Sequence, residues 1–485
     1  MTSKIECALL GIDVGTSGVR AVAASPVGEL LAEAEAPIRC DHRAAGGIHE
    51  QDPDEWWRAV SSVAQRIVRN LKESSGKADL RGVAVTSTSG TLVVTDAEGR
   101  PLRPAILYDD ARGAEIAEEL NQRTASPGVR LGPSFSLVKA AWVGRHEPDL
   151  WEKTRYVLSP ADWLSGKLSG DFGISDFTNA LKLGFDTESA SWIGAVRAAG
   201  LPADRLPAVH RPGERIGQVS RTAAAEAGLT PGMAVLAGAT DGMASVIASG
   251  ASACGDANTT LGTTLVWKVL YDGKPAARGG IYLHLHPGGL RVPGAASNTG
   301  LGSIRRPEAL PENSPAELDR LAASCFPTPV VCYMLPGEGE RFPFSHSKAT
   351  SFVEGDPRDA AESYAAQLQS VAFVERWGYE ILESCGVKVG ERVFSTGAAA
   401  KSPVLSQLRA DVLGKTVVLP RYPTAAFGTA ILAAAGTAFA GNIAHAIQSM
   451  SAILEIYLPS ARLIPAFDAI YKSFRDACAR RGYHT

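Results

Sequence analysis

The chain lacks three things, a strong imbalance of charge, a paired-cysteine motif and a long uninterrupted apolar run, and each absence removes a class of function. Its 48 lysines and arginines stand against 51 aspartates and glutamates, for a formal net charge of -3. No basic field is present for nucleic acid or an anionic membrane surface, so neither is expected as a partner. The seven cysteines (Cys7, Cys40, Cys254, Cys325, Cys332, Cys385, Cys478) are odd in number and scattered, with no C-x-x-C pair for zinc or redox work. Free thiols in a reducing compartment are expected. Glu6 and Asp13 interrupt any basic-then-apolar leader, which predicts a cytoplasmic protein. The most apolar stretches, near Val235–Ala253 and Ala425–Ala440, are rich in small residues and read as buried helices rather than membrane spans. The nine histidines are dispersed, and the alternation of His284 and His286 along a strand falls short of a metal site.

Two common nucleotide signatures are also missing. Gly414-Lys415-Thr416 looks like the tail of a P-loop, but the required first glycine falls on Arg409. A dinucleotide fingerprint ending at Gly15 and Gly18 would need glycine where Asp13 stands, and a hairpin follows where a helix should.

What the chain does carry is a set of small-residue turns on strand ends. Its 485 residues exceed what one core usually supports, so two domains are expected, 1–250 and 251–485, with a cleft between them as the natural active site. The segment Gly11 to Ala21 reads as a strand, a tight turn at Gly15-Thr16-Ser17-Gly18 and a returning strand. A carboxylate at a strand end followed by backbone NH groups and hydroxyls suits a metal-bound phosphate, while an ordinary hairpin remains the competing reading. Glu29–Ile38 reads as a third strand. Asp52-Pro53-Asp54-Glu55 then opens a helix whose buried face is Trp56, Val60, Val63, Ile67 and Leu71. Strands follow at Leu80–Thr86 and Thr91–Asp96. A second hairpin, around Thr260-Leu261-Gly262-Thr263-Thr264, suggests a duplicated architecture. Val235–Ala239 reads as a strand leading to Asp241 and a helix at Met243–Ser249. Arg392–Ser395 runs into Thr396-Gly397-Ala398-Ala399-Ala400-Lys401-Ser402-Pro403 and a helix at Val404–Leu413, a turn that admits a ring or phosphate or simply packs tightly.

In this order and separation, the two Gly-Thr turns, Asp241 and the Gly397 turn resemble the FGGY family of carbohydrate kinases. Ser134-Phe135-Ser136-Leu137-Val138-Lys139, with Trp142 three residues on, is similar to that family's first sequence pattern. The resemblance implies an α/β fold of two actin-like ATPase (ribonuclease H-like) domains. It implies a phosphate-1 loop at Asp13–Arg20, a phosphate-2 loop at Leu261–Thr264 and an adenosine loop at Ser395–Ser402. Ile48-His49-Glu50-Gln51-Asp52-Pro53 and Trp56 resemble the pentulose- and gluconate-kinase branch. Thr86-Ser87-Thr88-Ser89-Gly90-Thr91, Leu107–Arg112, Ala161-Asp162-Trp163-Leu164 and Asn179–Gly184 are similar to the D-ribulokinase group of plants and cyanobacteria. That places D-ribulose ahead of D-xylulose as the expected sugar, with ATP and Mg2+ as the other reactants and a monomer or homodimer as the assembly.

Within the resemblance, Asp241 is the expected general base, with a helix N-cap as its alternative role. Asp13 is expected to orient Mg2+ and contact the sugar. Thr16, Ser17, Gly18 and Ser89 complete the substrate contacts, and Arg20 adds charge. Thr16, Gly262, Thr263, Gly397, Ala398, Lys401 and Ser402 are the expected ATP contacts. Asp109 reads either as a sugar ligand or as a solvated loop carboxylate. Family members usually carry Gly-Gly-Gly-Ala where this chain has Gly397-Ala398-Ala399-Ala400, so the added methyls are expected to crowd the nucleotide or to strain a positive-φ position. A weakly active sugar sensor is the second class of function this leaves open.

Overall fold

The computed structural model describes residues 7–39, 41–74, 79–124, 130–306 and 314–484. Cys40 lies outside them, and the six described cysteines are free thiols. Contacts divide the chain into two units, Met1–Ala248 with Thr424–Ser451, and Ser249–Pro423 with Ala452–Thr485.

The first unit is built on a six-stranded sheet. Its strands are β1 (Cys7–Val14), β2 (Gly18–Ala24), β3 (Leu30–Pro37), β4 (Asp79–Ser87), β5 (Arg215–Gln218) and β6 (Ala234–Thr240), in the order β5-β6-β4-β1-β2-β3. β4 runs parallel to both β1 and β6, and the hairpin strands β2 and β3 continue antiparallel from β1. Strands β1 and β6 are apolar nearly throughout and β4 is buried from Gly82 on, as central strands covered on both faces must be.

The second unit repeats this plan. Its seven-stranded sheet contains β7 (Ala257–Leu261), β8 (Leu265–Val269), β9 (Tyr282–Leu285), β10 (Arg291–Ser297), β11 (Arg392–Thr396), β12 (Thr416–Pro420) and β13 (Ile453–Tyr457). The order is β9-β10-β8-β7-β11-β12-β13. β7 pairs antiparallel with β8 and parallel with β11, β11 is parallel to β12, and β13 closes antiparallel, so the pairing signs of the first sheet recur strand for strand. β9 is the one addition among these strands. The two hairpins of the sequence thus open two copies of one topology.

The helices that matter for the site are α1 (Pro53–Ser74), α2 (Ser136–His146), α3 (Phe177–Ala180), α4 (Asp241–Ser249), α5 (Ala360–Ser384), α6 (Pro403–Leu413) and α7 (Ala425–Ala435). The Asp52 carboxylate accepts the Asp54 NH at the start of α1, and Trp56, Val60, Val63, Ile67 and Leu71 are all buried. Helix α7 is apolar on every face, with every residue from Ala426 to Ala435 buried. Such a helix needs cover all round, and it finds it against β1, β2, β4 and β6, so segment 424–451 leaves the stretch 251–485 and joins the first unit. No helix among the described residues is long and apolar enough to cross a membrane.

Candidate functional site

In the first unit the candidate residues gather at the ends of three neighbouring parallel strands. Asp13 is in register with Thr86, and Thr86 with Ala239, so the ends of β1, β4 and β6 lie side by side. Each end carries one candidate: Asp13 on β1, Ser89 in the turn after β4, and Asp241 where β6 meets α4. With strands about 4.8 Å apart, the backbones of β1 and β6 are separated by about 10 Å. A ligand resting on β4 is within reach of both carboxylates.

Asp13 is 8% exposed. Burial chiefly, and then the charge of Asp241, push its pKa up to about 6, against the opposing pull of Arg20. The Arg20 guanidinium is 3.7 Å from the Asp13 carboxylate and otherwise exposed. Asp241 is half-buried at the first position of α4, and its Oδ1 accepts the NH of the next residue, Gly242, at 2.6 Å. The turn between β1 and β2 is closed by the Gly15 NH donating to the Gly18 carbonyl at 3.0 Å, with Ser17 exposed and Thr16 half-buried.

Several residues that the sequence placed in motifs without a task hold these turns. Gln51 is buried, and its Nε2 donates to the Thr16 carbonyl at 2.8 Å while its Oε1 accepts the Trp56 indole NH at 2.9 Å. The Gly15–Gly18 turn is therefore pinned to the start of α1. Lys139 on α2 is fully buried and donates to the carbonyls of Gly90 (3.0 Å) and Pro133 (2.8 Å), and burial pushes its pKa down to about 7. Lys182 donates to the Ser89 carbonyl at 3.1 Å. The Thr178 hydroxyl accepts the Thr240 NH at 2.9 Å and donates to Asp176, whose other oxygen takes the Asn179 amide. Burial raises the pKa of both Asp176 and its neighbour Asp162. That network fixes the strand end just ahead of Asp241. Asp109 stands apart from it, its oxygens taken by His49 Nδ1 (2.6 Å) and Arg43 (3.3 Å).

In the second unit the two remaining loops meet on adjacent strand ends. Thr260 on β7 is in register with Thr396 on β11, and their hydroxyls are 2.8 Å apart. Gly397 follows with φ +87°, and a Cβ there would lie 2.7 Å from the Leu261 carbonyl, so only glycine allows the turn after β11 to rest on the turn after β7. Gly262 has open space around its Cβ direction and Thr263 is exposed. Ser402 caps α6, accepting the Leu405 NH at 3.0 Å and donating to Asp319 at 2.5 Å, and Lys401 is exposed. Beneath the turn, Arg409 and Glu375 form a fully buried ion pair (2.6 and 2.7 Å), with Arg409 also donating to Ser395. Arg409, the residue that rules out a P-loop, is thus a strut beneath the end of β11.

The expected alanine strain is not found. Ala398–Lys401 form a turn of 3-10 helix, and neither Ala398 nor Ala399 has positive φ. The Ala399 methyl is buried in the unit's core, and only Ala398 is exposed. His286 lies just beyond β9, buried, with Nδ1 accepting the Gly288 NH.

Comparison with known proteins agrees with this arrangement. Residues 8–248 match the FGGY family of carbohydrate kinases, N-terminal domain, and residues 223–437 match the C-terminal domain. The xylulose kinase of Escherichia coli is 27% identical over 96% of this chain and 97% of that protein. The glycerol kinase of Citrifermentans bemidjiense is 29% identical over 91% and 92%. The crystal structure of xylulose kinase from Rhodospirillum rubrum superposes with a TM-score of 0.86 at 26% identity, covering 99% of this chain and 100% of that one. Matched over both family domains and sharing their two-domain α/β fold, the chain belongs to the FGGY family of carbohydrate kinases.

Proposed function

We propose that the protein transfers the γ-phosphoryl group of ATP to a hydroxyl of a pentulose, with Asp241 as general base. The observation that carries this reading is the placement of Asp13, Ser89 and Asp241 on three adjacent strand ends. The first unit takes the sugar and, at Thr16, Ser17 and Gly18, phosphate oxygens. The Gly262-Thr263 and Gly397–Ser402 turns of the second unit take the nucleotide.

In the reaction, Asp241 accepts the proton of the acceptor hydroxyl as that oxygen bonds to the γ-phosphorus and the bond to the ADP oxygen breaks. General-base assistance of this kind contributes about 10²- to 10⁴-fold in rate. The raised pKa of Asp13 would by itself also suit a base, but Asp13 is assigned to the ion, because a carboxylate at the strand end beside the Gly15–Gly18 turn suits a hard cation. Among the described residues no group of three or more His, Cys, Asp or Glu side chains is assembled to hold an ion alone. One hard carboxylate, Asp13, would hold a Mg2+ ion at this strand end. When bound, the ion neutralises charge on the phosphates.

For the sugar, Ser89 in the turn after β4 supports D-ribulose. D-xylulose is the second reading, supported by the xylulose kinases among the relatives. The test is Asp241→Asn, expected to lose phosphorylation by at least 100-fold while sugar binding, read by calorimetry, survives. Near-normal turnover would remove Asp241 as the base.

A further inference from the structure

We propose that Lys182 is a further acceptor-binding residue, whose ammonium, held at the Ser89 carbonyl, donates a hydrogen bond to an oxygen of the bound sugar. The inference rests on the pentulose reading above and names a contact within that same site.

The placement comes from two ties. Lys182 sits in the 3-10 turn Leu181–Leu183 that continues α3. At one end of this segment, Thr178 holds the Thr240 NH, one residue before Asp241. At the other, Lys182 Nζ reaches the Ser89 carbonyl at 3.1 Å. The side chain therefore stands between the end of β4 and the end of β6, where the acceptor must lie for Asp241 to reach its hydroxyl.

The turn after β4 already has a dedicated anchor. Fully buried Lys139 holds the Gly90 carbonyl and the Pro133 carbonyl together. Lys182 is only half-buried, and the Ser89 carbonyl is its one hydrogen-bond partner among the described residues. An ammonium has three donors, so two are left at a site facing a polyhydroxy ligand. Burial lowers the Lys182 pKa and the charge of Asp241 opposes that drop, which places the two charges within each other's field. Partial burial of a cation is costly unless acceptors meet it, and sugar oxygens are the acceptors this site receives.

Gly90 guards the arrangement. Its φ is +91°, and a Cβ there would lie 2.1 Å from the Ser134 carbonyl and 2.7 Å from Lys182 Cδ. Any side chain at that position would displace the lysine.

The test uses the full-length protein and the Lys182→Met variant, with D-ribulose, D-xylulose and their monodeoxy forms as acceptors. The expected result is a tenfold or greater rise in sugar KM, with the KM for ATP within twofold of wild type. One deoxy pentulose, lacking the contacted oxygen, should be used equally by both proteins. Lys182→Gln, which keeps a neutral donor, should fall between them. A folded Lys182→Met with sugar KM within twofold of wild type, or equal losses for every deoxy sugar in both proteins, overturns the proposal. Failure of both variants to fold assigns Lys182 to the scaffold and also overturns it. Asp241→Asn is run beside them: if it turns over normally, the pentulose-kinase reading fails, whereas an inactive Asp241→Asn with an unaltered Lys182→Met sinks only the lysine contact.

Discussion

Replacing Asp13 by asparagine should make the ligand-free protein more stable at neutral pH while disabling it. The Asp13 pKa moves from 3.8 to about 6 on folding, first because the carboxylate is buried and then because Asp241 repels it. A raised pKa means that the folded state holds this proton more tightly than the unfolded chain. The stability so contributed is fully present below about pH 4 and is lost as pH rises through 6. At pH 7.5 the ionised carboxylate then costs about 3 kcal/mol, from roughly two units at 1.36 kcal/mol each. At pH 4.5 the same linkage leaves a cost of about 1 kcal/mol. Asparagine keeps the shape and removes the charge. Urea unfolding of wild type and Asp13→Asn at the two pH values checks this: the variant should gain at pH 7.5, and most of that gain should vanish at pH 4.5. A variant less stable than wild type at pH 7.5, or a gain independent of pH, would refute the reasoning. Active sites often carry such costs, because charge needed for binding is held where folding alone would not place it.

Other substitutions separate the turns from one another. Asp241→Asn should abolish turnover without abolishing sugar binding, as calorimetry with the pentulose would read. Gln51→Ala leaves the Thr16 carbonyl and the Trp56 indole NH without their partner. It should cost about 1–3 kcal/mol in urea unfolding and raise the KM for ATP more than the KM for sugar. Gly397→Ala sets a Cβ 2.7 Å from the Leu261 carbonyl at φ +87°. We expect a loss of about 1–3 kcal/mol and weaker nucleotide binding with the sugar KM unchanged, measured by denaturation and steady-state kinetics.

Much of the site was legible because its signals are local. A Gly-Thr turn between two apolar runs announces a hairpin, and Asp241 was readable as a strand-to-helix junction because β6 and α4 meet there. The duplication was visible in the two hairpins. What could not be read is the non-local part. Nothing in the sequence of β4 says that it lies between β1 and β6, and that placement is what brings Ser89 between the two carboxylates. Helix α7 is recognisable as buried, but the partner that covers it is not, so its departure to the first unit is a matter of tertiary packing. Gln51, Lys139 and Lys182 lay in recognised motifs without a task, because each acts through a backbone carbonyl elsewhere in the chain, and carbonyls leave no mark in a sequence. The positive-φ strain expected of the alanines at 398 and 399 turned on backbone angles that a sequence does not state.

The most direct test of the central claim is sugar-dependent ADP release in a coupled assay over D-ribulose, D-xylulose, L-ribulose, xylitol, ribitol, gluconate and glycerol. The account predicts rapid release with D-ribulose or D-xylulose and little with glycerol or without an acceptor. Robust ATP hydrolysis with no sugar present, or turnover on glycerol alone, would contradict it.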